Sequence, residues 1–488
     1  MKFSAIWKRV SPDVINFLLR YDIVRRSALR KAEEKLYENF VVRNEDDRPP
    51  LIQEARCLML KNLLHTVNAA LSDGRIAPEV FRAVVNNFIG RILLQEEDRT
   101  REFHQEHGVY PPAFLTISPT RKCNLFCTGC YASSSAGDAE TLGYDIFNRI
   151  IREKKELWGS YFNVISGGEP LLYKSGGKTL FDILEENSDC YFMMYTNSTL
   201  ITKQVAERMA GLGNITPAIS VEGFEKETDT RRGRGVFRRI VSAMENLREA
   251  GVPFGISATA TRLNAESIMS DEFTDFYFNK MGAIYGWVFQ YMPIGRSITI
   301  DLMITPEQRL ALFRNEQRMI KESRVFLVDF WNGGPYSLGC ISAGRPGGYF
   351  YIDWNGNMAP CAFFPYYLSN IHDIYREGRT LNDVLFSPYF ESIRDWQNGY
   401  GYRQPASKMD NLIVPCMIRD HFEDAYGVIK QYGAKPLDNN AEQALGDSDY
   451  RRRMAEYGKD VKAITQELWE QEFLGLQDKG NNKGPEGF

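Results

Sequence analysis

The middle of the chain, from Pro111 to about residue 325, carries short apolar runs separated by stretches with helical spacing. Short runs rich in β-branched and aromatic residues are typical of strands, and apolar residues three and four positions apart are typical of helices. The predicted strands are Ala113–Ser118, Tyr161–Ser166, Tyr191–Thr196, Ile215–Val221, Phe254–Thr259 and Tyr285–Tyr291. The predicted helices between them include Val205–Leu212, Phe237–Ala250 and Ser267–Met281. Strands that alternate with helices predict an α/β fold with a parallel sheet, and six such units are too few to close an eight-stranded barrel.

The first 110 residues are predicted to be helical, because apolar residues recur there at helical spacing. Residues 1–31 also contain eight Lys or Arg against two Asp, which gives a local net charge of +6. Two interpretations stay open for this segment. It is either a basic amphipathic helix on the anionic inner face of a membrane, or a helix that packs on the core with its basic face in solvent. Residues 436–488 are predicted to form a charged helical tail with a disordered end.

Length, charge and apolar content exclude several classes of protein. A chain of 488 residues is longer than one hydrophobic core usually serves, so two or three domains are expected. The net charge of −4 gives no global reason to expect nucleic-acid binding. The sequence contains no 18-residue apolar run, so no transmembrane helix is predicted. Its N-terminus lacks the uninterrupted apolar run of a signal peptide, which argues against secretion. We therefore expect a cytoplasmic protein whose eight cysteines do not form a disulfide framework.

Three cysteines, Cys123, Cys127 and Cys130, lie within eight residues at C-x3-C-x2-C spacing. Cysteine thiolates are the usual ligands of iron–sulfur clusters, so three on one loop can bind three irons of a [4Fe–4S] cluster and leave the fourth iron open. An electron-carrier ferredoxin closes that position with a nearby fourth cysteine, and the next one here is Cys190. A structural zinc site would need a second Cys or His pair at finger spacing. The spacing favours a cluster with an open iron, and the electron carrier and the zinc site are the alternatives.

Polar and glycine-rich motifs follow the predicted strands, at the strand ends where parallel α/β folds place their active sites. They are SGGEP at 166–170, TNSTL at 196–200, SVEG at 220–223 and YMPIG at 291–295. Adjacent glycines let the backbone approach a ligand closely. Asn197 either contacts a ligand or turns the chain. Arg231 and Arg232 are either partners for a carboxylate or solvated loop charges.

The cysteine loop and these motifs together resemble the signature of the radical SAM superfamily. The resemblance implies a partial (β/α)6 barrel in which S-adenosylmethionine (SAM) binds the open iron. It also implies an enzyme: an electron from a ferredoxin- or flavodoxin-type donor cleaves SAM, and a 5′-deoxyadenosyl radical takes hydrogen from an organic substrate. The implied SAM contacts are Tyr131 near adenine, Gly167, Gly168 and Glu169 at the amino group, Ser220 and Glu222 at the ribose or amino acid, Arg231 or Arg232 at the carboxylate, and Ile294 with its neighbours at adenine. Asn197 is a further implied ligand contact.

Three further cysteines, Cys340, Cys361 and Cys416, follow the predicted barrel. Their context resembles the SPASM/twitch extension, which carries one or two auxiliary iron–sulfur clusters. Full SPASM domains have seven cysteines, so the resemblance implies at most one auxiliary [4Fe–4S] cluster here. Its fourth ligand would come from His421, Asp420, Cys57, water or substrate. Alternatively, the three are buried thiols of a degenerate extension, as Cys57 and Cys190 are predicted to be.

The expected organisation is a helical region over 1–110, a radical SAM core barrel over 111–325, a small α+β auxiliary iron–sulfur domain over 326–435 and a tail over 436–488. The resemblance implies radical chemistry on a peptide or protein. The basic segment 1–31 and the aromatic run 363–367 suggest a lipid or membrane-associated substrate as the alternative. A non-catalytic iron–sulfur electron carrier is the alternative from another class.

Overall fold

The computed structural model describes residues 21–44, 47–94 and 98–475. Ten strands within these residues form one sheet. In chain order they are β1 (Phe114–Ile117), β2 (Phe162–Ile165), β3 (Tyr191–Thr196), β4 (Ile215–Val221), β5 (Gly255–Ala260), β6 (Gly286–Gln290), β7 (Leu327–Asp329), β8 (Tyr349–Ile352), β9 (Asn357–Ala359) and β10 (Ser369–Asn370). The six predicted strands are present as β1–β6, and each end lies within one residue of its prediction.

The sheet has the strand order β10–β9–β8–β1–β2–β3–β4–β5–β6–β7. Neighbours from β8 to β7 run parallel, which confirms the predicted parallel α/β core, and β9 and β10 are antiparallel additions. Two parallel strands therefore extend the six-stranded core, β7 beside β6 and β8 beside β1. Phe330, directly after β7, approaches Tyr349 of β8 with ring centroids 6.4 Å apart. The two ends of the parallel sheet thus curve toward each other.

Helices and short ribbons complete the described structure. The α-helices are Asp22–Tyr37, Pro50–Ser72, Pro78–Ala83, Asp98–His107, Tyr144–Trp158, Leu180–Glu186, Lys203–Leu212, Glu225–Arg232, Val236–Ala250, Ala265–Ile268, Asp271–Thr274, Pro306–Arg318, Gly334–Ser337, Ile371–Arg376, Leu381–Leu385, Pro388–Gln397, Met417–Asp420, Phe422–Tyr432, Asn439–Gly446 and Ser448–Leu468. The π-helical segments are Glu38–Arg43, Val84–Leu94, Asp275–Lys280, Met319–Ser323, Asn398–Tyr402 and Trp469–Phe473. The 3₁₀ turns are Pro170–Leu172, Ile300–Leu302 and Ala406–Lys408. Two ribbons pair Lys174–Ser175 with Lys178–Thr179 and Tyr366–Tyr367 with Lys435–Pro436.

The predicted helix Ser267–Met281 is wrong as a single element. The chain forms two short α-helices, Ala265–Ile268 and Asp271–Thr274, followed by the π-helical segment Asp275–Lys280. The break has a local cause, because Ser270 adopts extended backbone angles and its hydroxyl accepts a hydrogen bond from the Phe273 amide at 3.1 Å. Such an N-cap starts a new helix in the middle of an apolar pattern that looks continuous.

The long helix Pro50–Ser72 closes one end of the barrel formed by the curved sheet. Its Met59 and Leu63 pack against a buried cluster that includes Val164 and Met193 on the inside of β2 and β3. The N-terminal helices therefore block the end of the barrel opposite the motif loops.

Part of the basic segment 1–31 lies outside the described residues, since these begin at residue 21. From Asp22 onward the segment belongs to a helix in which Arg25 is buried and donates to Asn68 at 2.9 Å. On the same helix Arg26 pairs with Asp22. Membrane contact through residues 1–31 stays a prediction. The predicted disordered end at 476–488 also lies outside the described residues. Within the described ranges, no helix combines the length and the apolar content that crossing a membrane requires.

Candidate functional site

The three cysteines of the first group lie in the wall of a cavity of about 350 Å³ inside the barrel, here called the main cavity. Their loop follows β1, and the motifs after β2, β3 and β4 lie around the same space. The predicted contact residues that line it are Tyr131, Gly167, Gly168, Asn197, Ser220, Arg231 and Arg232. Glu169, Glu222 and Ile294 lie behind this lining. Thirteen residues were predicted to contact the first cluster or SAM, and ten of them line this one cavity. Their contacts with a cluster or with SAM stay a prediction.

The turn after β2 packs directly on the cysteine loop. The Gly168 amide donates to Thr120 O at 2.9 Å, and the Glu169 amide donates to Lys122 O at 2.8 Å. A Cβ atom on Gly168 would lie 2.2 Å from Lys122 O, a contact that real side chains do not make. Position 168 therefore requires glycine, because any other residue would push the cysteine loop away.

The loop after β6 holds the cysteine loop from the other side. The Arg296 amide donates to Cys130 O at 2.9 Å, and a Cβ on Gly295 would lie 2.1 Å from Tyr131 O. Ile294 is buried, with its amide bonded to Met292 O at 2.9 Å. Its side chain supports this loop from behind, so adenine contact here would have to involve neighbouring backbone groups.

Tyr131 is fixed by its hydroxyl group. The hydroxyl lies 2.6 Å from Ser166 Oγ and accepts a hydrogen bond from the Gly167 amide at 3.2 Å. Since both partners belong to the turn after β2, the tyrosine that follows the third cysteine is tied to the glycine motif. Its ring remains in the wall of the main cavity.

Glu169 is fully buried and faces the protein rather than the main cavity. Its carboxylate accepts hydrogen bonds from Thr196 Oγ1 at 2.8 Å, from the Asn197 amide at 2.9 Å and from the Leu171 amide at 3.2 Å. Burial raises the pKa of Glu169 to about 7, although these donors oppose the shift. The side chain joins the turns after β2 and β3, and a direct contact with SAM stays a prediction.

Asn197 is the residue that links the β3 turn to a cysteine. Its side-chain amide donates to Cys123 Sγ at 3.7 Å and to Asn124 Oδ1 at 2.9 Å. Its carbonyl oxygen accepts from the Thr199 amide at 3.0 Å. Outer-shell donors of this kind orient metal-ligating side chains and adjust the electronic properties of the centre.

Glu222 forms a buried ion pair with both predicted arginines. Its carboxylate is fully buried and contacts the guanidinium groups of Arg231 and of Arg232, the latter with Nε at 2.8 Å. Arg231 Nε also donates to Thr128 O at 3.2 Å, and the Thr128 amide donates to Arg231 O at 3.0 Å. The arginines are therefore not free loop charges. Arg231 fastens the cysteine loop, and both guanidinium groups reach the main cavity.

The chemistry of the donor set fits an iron–sulfur cluster. Burial raises the pKa of Cys123 to about 12, and burial also raises the pKa of Cys127, whereas Arg232 and Arg231 lower it. Such thiols become thiolates when iron binds, and the two guanidinium groups compensate part of the negative charge. No group of three His, Cys, Asp or Glu side chains in the described ranges already has the geometry of a single-ion site. A [4Fe–4S] cluster binds its cysteines at separate corners, so its ligands stand further apart than those of one ion.

The second cysteine group also converges. Cys340, Cys361 and Cys416 line one cavity of about 190 Å³, here called the second cavity. Its wall is otherwise mostly apolar and aromatic. Phe330 and Phe363 belong to the walls of both cavities, so a thin aromatic layer separates them. Three thiols around one cavity fit an auxiliary cluster, whose presence stays a prediction.

Asp420 and His421, two of the expected fourth ligands of that cluster, are bonded to other groups. The Asp420 carboxylate pairs with the buried guanidinium of Arg309, Nη2 to Oδ2 at 3.0 Å. The His421 ring nitrogen Nε2 lies 2.9 Å from Val414 O. Cys57 is buried in the helix Pro50–Ser72 and does not line the second cavity. Water or substrate remain as the predicted sources of a fourth ligand.

The predicted burial of the two remaining thiols is confirmed. Cys57 and Cys190 are 3% and 0% exposed, respectively. Burial raises the pKa of Cys190 to about 11, which keeps this thiol protonated and unreactive near neutral pH.

Sequence reasoning missed two polar residues, Gln290 in the wall of the main cavity and Arg419 behind it. Gln290, the last residue of β6, lines the cavity and donates through Nε2 to both oxygens of Asp329 at 3.0 Å. Its Oε1 is buried without a partner among the described residues. Arg419, from the C-terminal half, donates to Tyr291 O at 2.7 Å. The strand-end position of Gln290 was the available signal, whereas nothing in the sequence connects Arg419 to β6.

Comparisons of sequence and structure identify related proteins. Residues 117–269 match the sequence family described as the Radical SAM superfamily. Mycofactocin maturase MftC of Mycolicibacterium smegmatis is 30% identical over 338 residues, which cover 65% of this chain and 81% of that protein. AdoMet-dependent heme synthase of Methanosarcina barkeri is 27% identical over 291 residues, 54% of this chain and 80% of that protein. The crystal structure of Streptococcus suis SuiB bound to precursor peptide SuiA aligns with a TM-score of 0.49 and 19% identity over 70% of this chain and 83% of that chain.

Proposed function

This chain belongs to the radical SAM superfamily, and on that premise we propose that it is a peptide- or protein-modifying enzyme that removes a hydrogen atom from an apolar group of its substrate. The observation that carries the proposal is the shared cavity. It brings together three thiols, a paired-glycine turn and two guanidinium groups at its polar end, next to an aromatic interior.

A [4Fe–4S] cluster with bound SAM, once it receives one electron, supplies a 5′-deoxyadenosyl radical that abstracts hydrogen. Cys123, Cys127 and Cys130 would hold this cluster, and the turn at Gly167 and Gly168 packs directly on the loop that carries them. The residues of this chain would bind and orient SAM and shield the reaction from water. Arg231 and Arg232, fixed by Glu222, present positive charge where the SAM carboxylate is expected.

The interior of the main cavity favours an uncharged reacting group. Its side walls carry Phe114, Phe162, Met193, Trp287 and Phe289. Among the described lining residues, the cationic side chains are the two arginines that already share Glu222. A buried carboxylate without a cation is costly, whereas an aliphatic or aromatic side chain gains about 25 cal/mol per Å² of apolar surface buried. The same walls exclude water from a reactive radical.

Two observations favour a peptide or a protein as the substrate. A relative matched over 81% of its length is named a maturase, and a maturase acts on a precursor. Another relative is named a heme synthase. A tetrapyrrole substrate carries several carboxylates, and the lining of the main cavity offers them little compensating charge. A lipid substrate stays a prediction.

The second cavity would hold an auxiliary [4Fe–4S] cluster. The three cysteines supply thiolates, and Cys361 Sγ accepts hydrogen bonds from the Tyr349 hydroxyl at 2.9 Å and from the Phe363 amide at 3.4 Å. The short separation from the main cavity suits an acceptor for the electron that remains on the substrate after hydrogen removal. That step would make the net reaction an oxidation.

The test is anaerobic reconstitution with iron and sulfide, followed by dithionite and SAM. We expect about eight irons per chain if both clusters form, and 5′-deoxyadenosine that increases when a short peptide encoded beside the gene is added. Mass spectrometry of that peptide should show a loss of hydrogen or a new bond. Reduction and reoxidation of the cluster without 5′-deoxyadenosine would contradict the proposal. Turnover of an iron porphyrin instead of the peptide would contradict its substrate class.

Asn197→Ala should lower the reduction potential of the first cluster by roughly 20–60 mV. The Asn197 N–H···S bond to Cys123 stabilises negative charge on the sulfur and therefore favours the reduced cluster. A hydrogen bond contributes about 0.5–1.5 kcal/mol, and 59 mV corresponds to about 1.4 kcal/mol for one electron. An EPR-monitored redox titration without SAM measures the shift. The matched control is Thr199→Ala, which loosens the same turn but keeps the N–H···S donor, and an equal shift in both variants would contradict the assignment.

Tyr349→Phe should lower the potential of the second cluster in the same direction and leave the first unchanged. The substitution removes only the hydroxyl that donates to Cys361, and the ring stays stacked on Phe114 with centroids 5.1 Å apart. Separate EPR signals of the two clusters provide the measurement. A shift in the first cluster alone would mean that Tyr349 acts on the main cavity rather than on Cys361.

A further inference from the structure

We propose that three residues beyond the barrel position the loop after β6 so that it can receive SAM. These residues, here called the C-terminal clamp, are Arg419, Asn440 and Tyr450. The loop, here called the β6 loop, consists of residues 291–296. The proposal rests on the proposed function, because it concerns SAM binding. It adds a role in that binding for a part of the chain that follows the second cysteine group.

The C-terminal clamp donates to every second carbonyl group of the β6 loop. The three bonds run from Arg419 Nη1 to Tyr291 O at 2.7 Å, from Tyr450 Oη to Pro293 O at 3.1 Å, and from Asn440 Nδ2 to Gly295 O. All three acceptors belong to buried residues, so water does not readily replace a lost donor. The bonds join residues far apart in the sequence, and they hold the loop at its beginning, its middle and its end.

The local sequence fixes two of these donors in place. Asn440 and Tyr450 lie in the first turns of the last two α-helices of the described chain. Each helix begins after an aspartate, Asp438 or Asp447, whose carboxylate accepts hydrogen bonds from first-turn amides at 2.8–3.1 Å. A cap of this kind fixes the residue at which a helix begins, and with it the place of the first side chains. Asn440 and Tyr450 therefore reach the β6 loop from preorganised positions.

The third donor, Arg419, connects the C-terminal clamp internally. It lies on the short helix Met417–Asp420, which begins directly after Cys416. Its side chain is fully buried, and Nη2 donates to Tyr457 Oη at 3.0 Å. Tyr457 belongs to the same helix as Tyr450. One guanidinium group therefore binds both the β6 loop and the helix that carries Tyr450, so the donors do not act as three separate contacts.

The β6 loop transmits the effect of the clamp to the candidate site. Its residues Tyr291 and Met292 line the main cavity, whereas none of the clamp residues does. Its Arg296 amide donates to Cys130 O at 2.9 Å. A displacement of the loop would therefore change one wall of the space where SAM is expected. The clamp residues would act on SAM through this loop, as positioning residues.

The test compares two buried tyrosines that make the same kind of bond. Tyr450→Phe removes the hydroxyl that donates to Pro293 O. Tyr389→Phe removes a hydroxyl that donates to Tyr366 O, also at 3.1 Å, and neither of these two residues lines either cavity. The probe is tritiated SAM, added to the reconstituted full chain in its oxidised state, in which SAM is not cleaved. Equilibrium dialysis measures the Kd.

The Kd for SAM should rise at least about threefold in Tyr450→Phe and stay within about twofold of wild type in Tyr389→Phe, since one hydrogen bond corresponds to about 2–12-fold in an equilibrium constant. At saturating SAM, dithionite-driven 5′-deoxyadenosine formation should stay within about twofold of wild type in both variants, because the clamp acts on binding. Urea unfolding should show the same loss of stability in both. This combination separates positioning of the loop from general destabilisation.

A second pair of variants provides the same comparison at another bond of the clamp. Asn440→Ala removes the donor to Gly295 O. Asn87→Ala removes a side-chain amide that donates to Ser188 O at 2.8 Å, outside both cavities. The Kd for SAM should rise in the first variant and not in the second. This pair also decides the matter if Tyr450→Phe fails to fold.

Equal Kd values for SAM within each pair of variants would overturn the proposal. Loss of iron from the first site in Tyr450→Phe alone would also overturn it, because the clamp would then act on the cysteine loop. Failure of the wild-type protein to bind SAM would instead refute the proposed function. Hydrogen exchange would still test the clamp in that case, since amides within residues 291–296 should exchange faster in Tyr450→Phe than in Tyr389→Phe. Equal exchange in the two variants would show that the clamp does not hold the β6 loop.

Discussion

Cys127→Ala is expected to abolish 5′-deoxyadenosine formation and to remove iron from the first site. The loop offers three thiols, and with one missing a cluster would have two irons without protein ligands. Loss of an outer-shell partner lowers the metal affinity or the activity of a metal site by about 10–100-fold. Loss of a ligand should therefore lower 5′-deoxyadenosine formation by more than about 100-fold. Iron and sulfide content, absorbance near 400 nm and 5′-deoxyadenosine measured after dithionite addition test this.

The matched control is Cys190→Ala, which removes a fully buried thiol that does not line the main cavity. This control should retain iron in both sites and form 5′-deoxyadenosine at the wild-type rate. Cys127→Ala protein that keeps full iron and activity would contradict the assignment of the loop.

Asp420→Asn is expected to lower the free energy of unfolding by about 3–5 kcal/mol. Its carboxylate and the Arg309 guanidinium are both fully buried, and removal of one charge leaves the other without compensation. Asp420 Oδ2 also accepts a hydrogen bond from the Cys416 amide at 3.0 Å. The variant should therefore lose iron from the second site while the first keeps its signal. Urea unfolding and EPR of the reconstituted protein measure both effects.

Glu423→Gln is the control, because it makes the same carboxylate-to-amide change in the exposed pair with Arg451. Exposed pairs contribute little to stability, so unfolding should be unchanged within error. The double variant Arg309→Met/Asp420→Leu should recover much of the loss, since apolar groups of similar size can replace a buried pair. Equal destabilisation by Asp420→Asn and Glu423→Gln would contradict this account.

The parallel core could be predicted from the sequence because its signals are local. Each strand from β1 to β6 is a short apolar run bounded by turn residues, and its position depends on those residues alone. β8 has the same local signal, but its pairing with β1 joins Tyr349 to Phe114 across more than two hundred residues. Such pairings depend on tertiary packing, which periodicity does not encode. The helix predicted over 267–281 failed because the cap at Ser270 outweighs apolar spacing.

The same difference between local and long-range signals applies to the candidate site. Cys123, Gly168 and Asn197 were predicted because each follows a strand end in a motif. The hydrogen-bond and ion-pair partners of the charged side chains at the site were not predicted. Glu222 forms a buried pair with Arg231 and Arg232, and Asp420 forms one with Arg309. Neither pairing was predicted. Side chains far apart in sequence choose such partners only once the fold sets their distance and burial.

The position of β8 next to β1 has a consequence for how the protein is made. The three cysteines of the loop are synthesised early. Their loop follows β1, however, and the neighbouring strand β8, which contains Tyr349, is synthesised more than two hundred residues later. Still later comes Tyr450, whose hydroxyl donates to Pro293 O at 3.1 Å beside the same loop. At about 5–20 residues per second, synthesis from Cys130 to the end of the helix at Leu468 takes roughly 20–70 s. During that time the thiols have no finished pocket. Iron delivery should therefore follow release of the chain, and overexpression that outpaces cluster supply should yield folded protein without iron.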